Sequence, residues 1–194
     1  MTNNNTFALG LDFGSNSVRC VVVNLQNGQE CGVSVWDYPS GDRGVLTDSA
    51  NPHVARQRPS DFVQGITEAV KPALAQALDT PGFAPAHVIG IGVDTTGSTP
   101  IPVDNTMTPL GNKTEFADNL NAQAWMWKDH ASMQEAEEIT DLARQHRPQY
   151  LAKCGGAYSS EWFFAKIWHC LRTDPDVFNA AYSWIEFADF IPAV

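Results

Sequence analysis

Between Leu9 and Tyr38 the chain alternates three apolar runs with two short polar turns. This stretch limits the possible folds more than any other. "LGLD" breaks off at Asp12, and Gly14, Ser15, Asn16 and Ser17 supply a tight turn before "VRCVVVNL" resumes. Asn27-Gly28 is the preferred pair for a two-residue hairpin, and "ECGVSVWDY" continues beyond it. The spacing predicts a three-stranded antiparallel meander, with Asn24 facing Cys31 and Cys20 near Val35. The two cysteines are then not partners. The first turn brings Asp12 close to backbone N–H groups, an arrangement suited to a metal-bound phosphate. An ordinary hairpin with a turn-capping aspartate has the same sequence.

The rest of the chain alternates helices and strands. Gly41 to Pro59 is polar and reads as a loop. From Ser60, apolar residues at Phe62, Val63, Ile66, Ala69, Val70, Ala73, Leu74, Ala77 and Leu78 mark one helical face, with Ser60 suited to the cap and Asp61 to the first turn. Pro72 should kink or split that helix. "VIGIGVD" has the unbroken apolar character of a buried strand. "TTGST" interrupts it and "PIPVD" resumes it, repeating the opening pattern of strand, aspartate, small polar residues and strand. A short strand is expected near Trp125, a long amphipathic helix from about Ala131 to Arg147, and another helix in "SSEWFFAKIWHCLR" with Ser160 as its cap. In that last helix Trp162, Phe163, Ile167, Trp168 and Leu171 form the expected core stripe. The apolar ending "SWIEFADFIPAV" suggests a sequence cut inside an element.

Composition narrows the function. The chain has 194 residues, 43% of them hydrophobic, enough for one core or one lobe of a larger protein. Its formal net charge is −10 and it has no basic run, which argues against nucleic acid as a partner. An acidic chain still binds anionic ATP through Mg²⁺ and backbone amides. No apolar run approaches membrane-spanning length, and the opening "MTNNNT" is unlike a signal peptide. The four cysteines, Cys20, Cys31, Cys154 and Cys170, form no CxxC pair and read as reduced thiols of a cytoplasmic protein. No Walker A and no GxGxxG pattern is present.

Chemistry-bearing residues gather at three places. "LDFGSNS" and "VDTTGST" each put an aspartate and small polar residues at a strand end, where ligands of α/β folds collect. "WMWKDHA" joins Trp125 and Trp127 to Lys128, Asp129 and His130, a mixture that suits the apolar face and hydroxyl edge of a sugar and equally suits core tryptophans with a solvated end. Glu161 serves either as a first-turn helix stabiliser or as a substrate contact.

"GLDFGSNSVRCVVVNLQNGQE", "GIGVDTTGSTPIPVD", "WKDHAS" and "GGAYSSEWFFAKIWHCLRTDPDVF" occur in this order. Together they resemble the N-terminal half of the FGGY carbohydrate kinases. The resemblance implies an actin-like, hexokinase-like (ribonuclease H-like) α/β lobe, with a mixed sheet that opens in the meander and is flanked by helices. It implies that residues 1–194 are the sugar-binding lobe, that the C-terminal ATP-binding lobe is absent, and that the fragment alone is inactive. The implied reaction is ATP-dependent phosphorylation of L-ribulose to L-ribulose 5-phosphate in L-arabinose catabolism. Kinases of other sugars, such as xylulose, share the layout; an actin-like or chaperone-type ATPase lobe is the reading from another class. The resemblance places Asp12 near Mg²⁺ and the transferring phosphate as a catalytic residue, and Gly14 and Ser15 in the phosphate-approaching turn. Thr96, Gly97, Ser98, Asp129 and Glu161 become sugar contacts. The base that takes the hydroxyl proton is expected in the absent half. The implied partner is a ketopentose, with no membrane and a homo-oligomer left open.

Overall fold

The structure is a computed structural model that describes residues 5–194. Strands β1 (Phe7–Phe13), β2 (Ser17–Asn24) and β3 (Glu30–Asp37) form the expected meander. The β1–β2 register sets Asp12 opposite Arg19 and Leu11 opposite Cys20. In β3 the register differs slightly from the expected one. Cys20 faces Ser34, and an irregularity at Val22/Val23 leaves Cys31 without a facing residue; Asn24 instead donates its N–H to the Gln29 carbonyl at 2.9 Å. The bulge shifts the pairing that a simple count from the Asn27-Gly28 turn would give. All four cysteines are free.

The loop after β3 ends in a short strand, β4 (Arg56–Gln57), and leads into helix α1 (Pro59–Ala77). Ser60 does not cap this helix. Arg58 holds the cap position and Pro59 occupies the first turn, where a missing N–H costs nothing. The Asp61 carboxylate accepts from the Ser40 amide and hydroxyl at 3.2 and 3.0 Å, and so anchors the preceding loop. The helix also runs unbroken through Pro72. Contacts on either side of the proline hold it to β3: the Ser34 hydroxyl donates to the Ala69 carbonyl, and the Val33 N–H donates to the Gln76 side chain at 3.1 Å. A Cβ at Gly32 would collide with the Ala73 carbonyl, so glycine sets how closely this helix lies on the sheet.

Strand β5 (Val88–Thr95) returns parallel to β1, giving the mixed order β3-β2-β1-β5. It is not the buried strand its composition suggests. It lies at the sheet edge, with Ile89 and Ile91 exposed at 67% and 63%. Strand β6 (Pro100–Val103) does not form a hairpin with β5. It leaves the sheet and pairs antiparallel with β8 (Ser183–Glu186). Strand β7 (Ala124–Trp125) pairs with β4, which shows that part of the region read as loop is strand.

The helices that follow are α2 (Met133–His146), α3 (Pro148–Leu151), α4 (Phe163–Thr173), α5 (Pro175–Ala180) and, after β8, α6 (Phe187–Ala193). In α4 the buried residues are Ala165, Lys166 and Cys170, while Leu171 of the expected stripe is exposed. The main core joins alternate residues of β1 and β2 to Phe62, Ile101, Val103 and the apolar face of α6. Phe187 stacks on Phe62 with ring centroids 4.1 Å apart and meets Phe13 edge-on at 5.8 Å. This core fixes the C-terminal ends of β1 and β5 side by side. Among the described residues no helix is long and apolar enough to cross a membrane.

Candidate active site

The parallel pairing of β1 and β5 brings Asp12 beside Asp94 in exact register positions of neighbouring strands. Both line a depression of about 500 Å³ on the open face of the sheet, with Gly10, Gly92 and Arg19. The Asp12 carboxylate is 3.2 Å from the Arg19 guanidinium, and both side chains are about half exposed. A Cβ at Gly14 would lie 3.0 Å from the Arg19 guanidinium, so the turn passes close to this ion pair. The Gly14 N–H is already committed to the Ser17 carbonyl at 3.0 Å, so it closes the turn. Among the described residues no group of three His, Cys, Asp or Glu side chains could hold a metal ion. Two adjacent carboxylates are still a donor set that fits Mg²⁺, which keeps several of its waters when bound.

Four of the expected sugar contacts converge elsewhere. Thr96, Gly97, Ser98 and Glu161 line one cleft of about 400 Å³, together with Trp127 and Trp162. The loop that carries the first three begins where the Thr96 N–H donates to the Phe13 carbonyl at 3.2 Å. It ends at Thr99, whose N–H donates to the Glu186 carboxylate at 2.6 Å. Burial raises the Glu186 pKa, partly offset by bonds from the Thr99 and Phe187 amides. Gly97 needs neither a positive φ nor a close approach, since a Cβ there meets nothing within 4 Å. Ser98 instead takes the left-handed conformation, with φ 54°. Across the cleft Glu161 is 3.6 Å from the His130 ring, whose other nitrogen lies 3.1 Å from the Ser160 hydroxyl. Ser160 therefore belongs to this cluster and not to a helix cap, because α4 begins beyond Trp162.

The two depressions are joined through Ser15. The Trp127 indole N–H donates to the Ser15 hydroxyl at 3.0 Å, and the Gln57 amide donates to the Ser15 carbonyl at the same distance. Ser15 thus links the Asp12 turn to the wall of the second cleft.

Asp129 does not join the other contacts. It is fully buried, pairs with the equally buried Arg56, and accepts from the amides of Ala55 and Ala131 at 2.7 and 3.1 Å. The Arg56 guanidinium also stacks 3.4 Å above the Trp125 ring. Asp129 consequently frames the Trp127 segment from inside. Sequence reading missed Arg56, Arg19 and Lys166, and gave Asp94 no role of its own. Asp94 had a visible signal in its mirrored "VDTTGST" motif, whereas Lys166 was hidden among helix residues.

Residues 7–192 match the model of the FGGY family of carbohydrate kinases, N-terminal domain. A ribulokinase from Vibrio parahaemolyticus is 42% identical over 187 residues, covering 96% of this chain and 32% of the relative. A ribulokinase from Shouchella clausii is 34% identical over 192 residues, covering 96% of this chain and 33% of its own length. The chain thus spans about a third of the length of the curated relatives it matches. Among solved structures, a xylulose kinase from Rhodospirillum rubrum superposes with a TM-score of 0.72 at 19% identity, over 96% of this chain and 33% of that one. A Plasmodium falciparum glycerol kinase reaches 0.63 at 14% identity, over 90% and 30%. These likenesses bear out the actin-like, hexokinase-like fold. The family match over nearly the whole chain and the two ribulokinase relatives place this chain in the FGGY family of carbohydrate kinases.

Proposed function

We propose that this chain is the sugar-binding lobe of a kinase that transfers the γ-phosphoryl group of ATP to the terminal hydroxyl of L-ribulose, a step of L-arabinose breakdown. The observation that carries the reading is the convergence of Thr96, Gly97, Ser98, Glu161 and Trp127 on one cleft, in a chain whose relatives are named ribulokinase. Trp127 offers an apolar face to the carbon chain, while Thr96, Ser98 and Glu161 offer hydroxyl and carboxylate partners to its edge. The open space over Gly97 leaves room for a five-carbon ketose.

Phosphoryl transfer depends on positioning and charge stabilisation. Asp12 and Asp94 would hold Mg²⁺, whose charge screens the phosphate oxygens. Ser15 couples the phosphate-side turn to the sugar cleft through Trp127, so the acceptor hydroxyl and the Asp12 carboxylate, which would hold the metal, keep one spacing. Arg19 sits where it orients Asp12. The proton acceptor and most adenosine contacts lie in the remainder of the full-length kinase.

A second reading, phosphorylation of D-xylulose or another sugar, is favoured by the xylulose kinases that share the fold. Turnover of L-ribulose and D-xylulose by the full-length protein separates the two. We expect the higher kcat/KM with L-ribulose. A preference for D-xylulose moves the chain to the second reading, and failure with every sugar leaves the ATPase class.

A further inference from the structure

Lys166 is fully buried in the second turn of α4, and among the described residues no carboxylate forms an ion pair with it. Its Nζ donates instead to two backbone carbonyls, those of Ser98 at 2.6 Å and Met126 at 2.7 Å. Ser98 is the left-handed residue of the loop that forms one wall of the cleft. Met126 immediately precedes Trp127, which also lines the cleft, and α4 itself starts directly after the lining residues Glu161 and Trp162. One amine therefore ties together three chain segments that meet at the cleft, without lining it.

Burial of this kind is costly. It pushes the Lys166 pKa down to about 7, and the nearby Arg56 charge adds to the effect, while Glu186 and Glu161 oppose it. An apolar side chain of similar volume usually serves stability as well or better. A non-glycine residue at positive φ also needs its surroundings to hold it there. Two short hydrogen bonds, to that strained loop and to the segment that leads into Trp127, answer both points.

We propose that Lys166 is a positioning residue of the sugar cleft, which clamps the Ser98 loop to the Trp127 segment and so fixes the width into which the sugar must fit. The proposal rests on the reading of this cleft as the sugar site. Even a neutral amine keeps two N–H donors for the two carbonyls, so the clamp survives loss of the proton.

The test uses the full-length protein with Lys166→Met, Lys166→Gln and, as a control on the cleft itself, Gly97→Leu. Sugar KM, ATP KM, kcat and melting temperature are measured for each. In Lys166→Met the sugar KM should rise about tenfold or more, as expected when binding groups shift by a fraction of an ångström. ATP KM should stay within twofold, and Lys166→Gln, which keeps an N–H donor, should recover part of the loss. An unchanged sugar KM in folded Lys166→Met overturns the proposal if Gly97→Leu raises it. If Gly97→Leu also leaves sugar KM unchanged, the cleft is not the sugar site and both readings fall. Equal rises in sugar and ATP KM, or loss of folded protein in both Lys166 variants, assign the lysine to the fold as a whole and overturn the proposal as well.

Discussion

Asp12 and Gly97 carry the sharpest expectations at the scale of single residues, because each sits in a different depression. Asp12 has no role in the core: its carboxylate is half exposed and its partner Arg19 is equally accessible. Asp12→Asn in the full-length protein should therefore fold normally. Removing one preorganised charge contact at a reacting centre typically lowers kcat by about 10²–10³. Sugar KM should barely move, since Asp12 does not line the Thr96–Ser98 cleft. Steady-state kinetics check this, and an unchanged kcat returns Asp12 to the status of a turn residue. Gly97→Leu is the converse case. A side chain there enters open space without backbone strain, so melting temperature should shift by little while sugar KM rises. A large drop in melting temperature with unchanged KM would overturn that expectation.

Among the secondary-structure elements, the β4–β7 pair supports the Trp127 wall through a buried charge. Arg56 of β4 pairs with Asp129, which lies in the segment just beyond β7, and both are removed from water. Breaking such a pair from one side leaves a buried charge uncompensated, at a cost of roughly 3–5 kcal/mol. Asp129→Asn should thus lower the melting temperature by several degrees, and sugar affinity should fall only as far as the wall loosens. Differential scanning calorimetry reads the first and titration calorimetry the second. The elements also show how far the sequence was informative. The meander was legible because its turns are local and chemically marked. The strand-end loop "TTGST" was legible for the same reason, although its next strand, β6, pairs with distant β8. Arg19 meets Asp12 across the local first turn, whereas the other missed features depend on partners remote in sequence. Arg56 and Gln57 look like loop residues until Trp125 and Ala124 pair with them. Pro72 looks like a helix breaker until β3 holds the helix on both sides of it. Lys166 looks like a surface residue of α4 until the Ser98 and Met126 carbonyls receive it. Helical periodicity therefore favoured the tryptophan-rich face over the one that is buried.

For the molecule as a whole, the two depressions share one rigid base, the C-terminal ends of β1 and β5, yet the sugar cleft and the aspartate pair are both open on one side. The chain spans about a third of the length of its ribulokinase relatives. Residues 1–194 produced alone should accordingly show negligible sugar-dependent ADP release in a coupled assay. Robust turnover would mean that the described residues already hold a complete catalytic set.

The parallel pairing of β1 with β5 has a consequence in time as well as in space. The meander needs only neighbouring residues, so β1, β2 and β3 can form as soon as the chain reaches Asp37. Phe7, however, must wait for Val88, and Asp12 for Asp94. Closing so long a loop before any contact rewards it makes such pairings slow. During synthesis from the N-terminus the flank of β1 that will receive β5 stays unpaired until Thr95 has emerged, an open rail of backbone donors and acceptors. The step that places the two aspartates side by side is thus a late, long-range event in folding, and the functional geometry matures after most of the sheet that supports it.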